Sequence, residues 1–196
     1  MIRFIESIRL LNGTVENVKY HQARINETFA FYFEGKAPIS LQQIIDSNHP
    51  PENGLFKLRI VYAETLEKIE YLPYQAPFFR KFQCFRIPDD FTYRFKFANR
   101  IFFENISKKI EPDVLPVLIQ KGLVTDSTFT NLVFKRGDKW FTPKTPLLQG
   151  VQLQIMTETF PVNKIEIRET EIETFDAIYP INALNTPGTI APVSTG

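Results

Sequence analysis

Between Leu55 and Ala63 the side chains alternate. Phe56, Leu58, Ile60 and Tyr62 fall on one face of an extended chain, and Lys57, Arg59 and Val61 on the other. A segment with this period cannot present a helical stripe, so it reads as a strand with one covered face. Leu66–Tyr71 reads as its hairpin partner. Upstream, Ile2–Leu11 reads as a strand that turns at Asn12-Gly13 into Thr14–Val18. His21–Phe33 lacks Gly and Pro and reads as a helix ended by Gly35. Ser40-Leu41-Gln42-Gln43 fits a capping box, which starts a second short helix running to about Ser47, before a loop over Asn48–Gly54.

Pro73 and Pro77 interrupt regular structure, and the boundary between two small domains is placed there, as 1–77 and 78–196. Strands are expected at Phe82–Ile87, Val114–Gln120, Asn131–Phe134, Lys139–Phe141, Lys164–Arg168 and Ala177–Ile181. Helices are expected over Asn99–Lys108 and, after Gly150, over Val151–Phe160. Strands outnumber helices and do not alternate strictly with them, so the expected class is α+β.

Composition narrows the chemistry. A net charge of +1 with short charge runs gives no bias toward nucleic acid. Cys84 is the single cysteine and His21 and His49 the two histidines, which argues against an internal disulfide, a cysteine-rich zinc site and a histidine-based metal centre. No apolar run approaches the ~20 residues that span a bilayer, and the N-terminus lacks a signal-peptide pattern. A cytoplasmic location without membrane contact is the corresponding expectation. The chain has no nucleophile elbow, P-loop or dinucleotide fingerprint.

What remains is a lysine–carboxylate arrangement. Lys96 sits between Phe95 and Phe97, with Arg94 and Arg100 nearby. Desolvation by aromatic rings and crowding by cations both favour a neutral, nucleophilic amine. An ordinary solvated loop lysine fits the same spacing. Asp126 follows an apolar strand and the turn Gln120-Lys121-Gly122. It can hold a pyridine nitrogen protonated, or it can cap a local turn amide. Arg24 follows His21 by three residues within the first expected helix; it suits a phosphate or a plain helix surface. Gly150-Val151-Gln152 opens the last expected helix, whose first amides can bind phosphate or simply mark a loop-to-helix junction.

The order of these segments resembles the class IV aminotransferase family of pyridoxal-phosphate (PLP) enzymes, which includes aminodeoxychorismate lyase. The family's opening "FETIR…NG…H..R" is matched by Ile5-Glu6-Ser7-Ile8-Arg9, Asn12-Gly13 and His21-Gln22-Ala23-Arg24. Lys96-Phe97-Ala98-Asn99-Arg100 is similar to the "K-x-x-N-R" stretch of the lyase branch. Val124-Thr125-Asp126 with Asn131-Leu132-Val133-Phe134 resembles "VTE…NLF". Thr142-Pro143 and Leu148-Gln149-Gly150-Val151 follow, and Asn182-Ala183-Leu184 resembles the lyase branch's "NAL".

The resemblance implies two small α+β domains of the D-amino-acid aminotransferase-like type, with the cofactor between them. It implies Lys96 as the residue that binds PLP covalently and moves the substrate's proton. Asp126 would face the pyridine nitrogen, and Arg24 with the amides of Val151 and Gln152 would hold the phosphate. Asn131, Asn182 and Ala183 would complete the cofactor site. It also implies a homodimer acting on a small amino substrate. The expected reaction is conversion of 4-amino-4-deoxychorismate to p-aminobenzoate and pyruvate, a step of folate biosynthesis. The alternatives are a branched-chain or D-amino-acid aminotransferase, and a non-catalytic relative without PLP. The chain departs from the family pattern in four ways. It starts almost at the "FETIR" element, without the family's first strands, and Asp126 stands in place of Glu. Gln152 and Leu153 replace Thr and Arg, and Asn182–Pro192 is longer.

Overall fold

A computed structural model describes residues 2–196. The chain divides into two compact units, one of residues up to Gln75 together with Phe95–Asn99, the other of Ala76–Arg94 and Arg100–Gly196.

The first unit is a four-stranded antiparallel sheet in the order β2-β1-β3-β4. Its strands are β1 (Phe4–Leu11), β2 (Thr14–Val15), β3 (Leu55–Tyr62) and β4 (Leu66–Pro73). Asn12 and Gly13 both take positive φ, 47° and 79°, the geometry a two-residue hairpin turn demands. Helix α1 (Val18–Tyr32) starts three residues before the expected His21, directly after Asn17 in the left-handed region. Helix α2 (Leu41–Asp46) is capped as expected by Ser40, whose hydroxyl accepts the Gln43 amide.

The core of this unit follows from the alternation. Phe4, Ile8 and Leu10 of β1 and Leu58, Ile60 and Tyr62 of β3 meet Ile25 and Phe29 of α1 and Leu41 and Ile44 of α2. The Phe4 ring lies at 5.0 Å from Tyr32, 5.3 Å from Phe97, 5.7 Å from Tyr62 and 5.9 Å from Phe33, tilted or edge-on in each case.

Phe95–Asn99 belongs to this unit, not to the 78–196 domain expected from the Pro73–Pro77 boundary. The reason lies in the sheet. Strand β1 pairs with the short β2 only at Leu10 and Leu11, which leaves its Phe4 end open on that side. The inserted segment occupies that edge. Phe97 bridges Phe4, the Ile5 amide donates to the Lys96 carbonyl at 2.9 Å, and the Ala98 amide donates to the Arg3 carbonyl at 2.8 Å.

The second unit holds two sheets. Strands β5 (Lys81–Arg86), β6 (Val114–Gln120) and β7 (Leu123–Val124) form one, with β5 and β6 parallel and α3 (Ile101–Ser107) in the connection between them. The other has the order β10-β9-β8-β11-β12. It comprises β8 (Asn131–Arg136), β9 (Lys139–Pro143), β10 (Val162–Ile165), β11 (Ala177–Ile181) and β12 (Val193–Ser194). Helix α4 (Val151–Thr159) connects β9 to its parallel neighbour β10, since a parallel pair needs a crossover.

Strand β8 is covered on both faces. Leu132 and Phe134 enter the main core with Leu115, Val117, Ile119 and Ile178, while Val133 packs with Leu153 and Met156 of α4. The strand expected at Lys164–Arg168 sits two residues earlier, because Val162–Ile165 pairs with Trp140–Pro143; Arg168 instead bridges Leu123 and opens a short 3-10 turn over Glu169–Thr174. The short β7 and β12 carry too few residues for an alternating pattern. The α+β class stands in both units.

Candidate functional site

Each unit carries its own polar constellation. In the first, Glu6 stands on the core face of β1, in register with Phe4, Ile8 and Leu10, and is fully buried. A carboxylate there requires partners, and α1 supplies them. His21 Nδ1 lies 2.6 Å from Glu6 Oε2. Arg24 Nε donates to Glu6 Oε1 at 2.8 Å, and a terminal Arg24 nitrogen donates to Oε2. His21 and Arg24 are one helical turn apart, so both reach the same strand.

The electrostatics follow from this geometry. Burial pushes the Glu6 carboxyl up, but the Arg24 charge and the hydrogen bonds from His21 and Arg24 outweigh it and hold the group at about 2. Burial lowers His21 below 6.5 against the pull of Glu6, and the positive charges of Arg24 and Lys96 lower it further. The ring is therefore neutral at pH 7, and its bond to an ionised Glu6 assigns the proton to Nδ1. Arg24 is thus no surface helix residue: its side chain is 11% exposed and paired with a fully buried carboxylate.

Lys96 is half-buried in the same unit. Its backbone is tied to Ile5, the residue before Glu6, and its charge reaches His21. The flanking rings of Phe95 and Phe97 pack against Phe4 and Tyr32, which fixes the segment by its aromatic neighbours. Arg94 and Arg100, expected to crowd the lysine, belong to the second unit. There Arg100 donates to the Tyr93 hydroxyl at 3.1 Å and to the Thr128 carbonyl, with its guanidinium 4.9 Å from the Phe103 ring centre.

In the second unit Asp126 is buried, 5% exposed, and its carboxylate accepts from a side-chain amide five residues on and a backbone amide twenty-two residues on. Oδ1 accepts Asn131 Nδ2 at 2.7 Å, and Oδ2 accepts the Leu148 amide at 3.0 Å. Asn131 Nδ2 also donates to the Leu148 carbonyl at 2.8 Å. Asn131 therefore holds Asp126 and the 148–150 segment together.

Gly150 follows, as the N-cap of α4. A Cβ at this position would overlap Asn131 Oδ1 and lie 3.2 Å from its Cγ, so only glycine admits the asparagine. The first intrahelical bond runs from the Gln154 amide to the Gly150 carbonyl. The amides of Val151 and Gln152 precede it, at the positive end of the helix dipole. Asn182 and Ala183 lie in a turn in which Asn182 Oδ1 accepts the Leu184 amide and Asn185 Nδ2, both at 2.9 Å, while Asn182 Nδ2 reaches the Phe129 carbonyl at 3.4 Å.

The structure thus brings Arg24 and Lys96 into one unit, and Asp126, Asn131, Val151 and Gln152 into the other. The sequence reading assigned no role to Glu6 or His21. The available signal was a charged residue at a core register of β1. Nor did it single out the loop after Asp126, where the buried hydroxyls of Ser127, Thr128 and Thr130 have no hydrogen-bond partner.

The family profile of amino-transferase class IV matches residues 95–194. An uncharacterised protein of Haemophilus influenzae (strain ATCC 51907 / DSM 11121 / KW20 / Rd) is 32% identical over 188 residues, covering 94% of this chain and 99% of that protein. A solved structure of a candidate 4-amino-4-deoxychorismate lyase from Haemophilus somnus 129PT superposes with a TM-score of 0.86 at 29% identity, over 95% of this chain and 98% of that one. A candidate amino-acid aminotransferase from Mesorhizobium loti superposes with a TM-score of 0.83 at 18% identity, over 99% of both chains. That last likeness concerns the fold alone. The chain belongs to the class IV aminotransferase family.

Proposed function

We propose that this chain is a PLP-dependent lyase that converts 4-amino-4-deoxychorismate to p-aminobenzoate and pyruvate. The observation that carries the cofactor reading is the hydrogen-bonded unit of Asp126, Asn131 and Leu148 at the start of α4. It joins a buried carboxylate, suited to a ring nitrogen, to a helix N-terminus suited to a phosphate. In the other unit Arg24, a cation anchored by a carboxylate, suits a phosphate, and Lys96 belongs to that same unit.

PLP, when bound, supplies an electron sink for charge developing on the substrate. The protein's own residues do the rest. Lys96 Nζ would hold the cofactor covalently and would move the substrate's proton. Asp126, fixed by two donors, would hold the ring nitrogen protonated. Arg24 and the amides of Val151 and Gln152 orient the phosphate. Asn131 acts through Asp126 rather than on the ligand. Asn182 and Ala183 line the cofactor site in this reading. Gln152 and Leu153 stand where the family pattern has Thr and Arg, so the amides carry more of the phosphate binding here. The enzyme works as a homodimer, which sedimentation would check.

The lyase branch is favoured by Lys96-x-x-Asn99-Arg100, by the Asn182-Ala183-Leu184 turn, and by the name of the H. somnus protein. The second reading is a class IV amino-acid aminotransferase, because both reactions begin with removal of the same proton from an amino substrate. One experiment separates them. The protein is loaded with PLP, reduced with borohydride and peptide-mapped, then the unreduced enzyme is given aminodeoxychorismate or single D- and L-amino acids. The lyase reading expects the adduct on Lys96, p-aminobenzoate with pyruvate as products, and an unchanged cofactor spectrum. Loss of the cofactor's visible band with an amino acid, and no p-aminobenzoate, supports the aminotransferase. An adduct on Lys57, Lys108 or Lys121 sinks the site assignment. No attachment at all supports a non-catalytic relative.

A further inference from the structure

Arg24 could have been a flexible helix side chain. Instead its Nε and one terminal nitrogen are both held by Glu6, which no solvent reaches. Glu6 is held in turn by His21 Nδ1 at 2.6 Å. With His21 neutral, the three groups sum to no net charge, so the cluster can sit between sheet and helix without an uncompensated ion. A buried ion pair is a poor source of stability compared with apolar residues of the same volume. What it gives is geometry. Glu6 takes one edge of the guanidinium fork, and that sets the direction of the rest of the fork. His21 Nε2 is buried and has no hydrogen-bond partner, so the ring acts through Nδ1 alone.

We infer that Glu6 and His21 are positioning residues: they lock Arg24 into the orientation that recognises a phosphate monoester dianion. Glu6 fixes the guanidinium, and the His21 Nδ1–H fixes Glu6. This rests on the reading above that Arg24 meets the cofactor's phosphate. It adds that phosphate recognition depends on two residues that do not touch the ligand.

The test compares PLP with pyridoxal, which has the same ring and aldehyde and no phosphate. Equilibrium dialysis gives a Kd for each, and their ratio isolates the phosphate. In the unmodified protein PLP should bind far more tightly than pyridoxal. In Glu6→Gln the PLP Kd should rise about tenfold or more, the loss expected from one charge-assisted hydrogen bond, while the pyridoxal Kd stays within about twofold. His21→Asn keeps a donor where Nδ1 stands and should preserve the ratio; His21→Leu removes the donor and should lower it as Glu6→Gln does. If Glu6→Gln does not fold by circular dichroism, the His21 pair carries the test. An unchanged ratio in Glu6→Gln or His21→Leu overturns the inference. So does a parallel rise of both Kd values, which marks a purely structural role, or His21→Asn failing as badly as His21→Leu. A different result marks failure of the underlying reading: if Arg24→Gln leaves the ratio unchanged, Arg24 does not meet the phosphate and both fall together.

Discussion

Gly150→Ala is the substitution whose cost can be worked most directly from this structure. The backbone does not object to alanine: φ is −72° and ψ is 149°, an extended conformation open to any residue. Losing glycine for alanine at an N-cap costs up to about 1 kcal/mol by itself, because glycine caps better than alanine. The penalty is steric, since the new Cβ would overlap the Asn131 carboxamide oxygen. Asn131 must then leave its bonds to Asp126, at 2.7 Å, and to the Leu148 carbonyl, at 2.8 Å. One bond to a charged group and one to a neutral carbonyl sum to about 3 kcal/mol. Urea denaturation at pH 7 measures this as a shift in midpoint at constant slope. The decisive step is the double-mutant cycle. Asn131→Ala should cost about as much alone, and adding Gly150→Ala to it should cost only the capping term, because nothing is left to collide with. A Gly150→Ala cost under about 1 kcal/mol, or additive costs in the double variant, would refute the argument that Asn131 and Gly150 form one packed unit.

Other outcomes follow from the same geometry. Acid should destabilise the protein in two stages. His21 has a lowered pKa in the fold, so below 6.5 the unfolded chain gains a proton that the folded one refuses; Glu6 then withdraws its contribution, about 3 kcal/mol, as pH falls from 4.5 toward about 2. Urea midpoints across pH should show the first stage missing in His21→Asn; identical profiles between pH 6.5 and 4.5 would mean the ring is not held neutral. Phe4→Ala removes the ring shared by Tyr32, Tyr62, Phe33 and Phe97 and should cost about 3–5 kcal/mol, read as a lowered urea midpoint. Asp126→Asn should spare PLP binding in dialysis yet strongly lower turnover, since an amide cannot keep the ring nitrogen protonated; a drop within about threefold, under ~1 kcal/mol of barrier, would make Asp126 a structural residue only.

Much of the first unit was legible because its strands are long and one-sided. The alternation over Leu55–Ala63, the Asn12-Gly13 turn and the Ser40 cap each have a local physical cause, and all three occur in the structure. The start of α1 was less legible, because Asn17 reaches the helix through a left-handed backbone that no periodicity announces. The strand at Val162–Ile165 was misplaced because its register is set by β9, twenty-two residues away. At the candidate site the residue types were readable, but their environments were not. Nothing local says that Arg24 pairs with a buried carboxylate, and nothing near Asp126 says that the Leu148 amide donates to it. Glu6 is the exception: it interrupts an apolar face, and a carboxylate in that register already implies a cation opposite.

The five residues Phe95–Asn99 have a consequence for how the molecule is made. They complete the edge of β1 from about ninety positions further along the chain, with Ala98 bonded to Arg3 and Lys96 to Ile5. On the ribosome the N-terminal sheet and its helices emerge long before this partner does. The backbone of Arg3–Ile5 and one face of the Phe4 ring must wait, exposed, while the chain passes through Ala76–Arg94, which builds part of the other unit. The nascent protein therefore cannot finish one unit before starting the next, and a cut after Gln75 would yield a fragment with an open strand edge and two aromatic rings missing. Translation speed over residues 76–99 becomes a folding variable, and the candidate cofactor lysine arrives with the residues that close the first sheet.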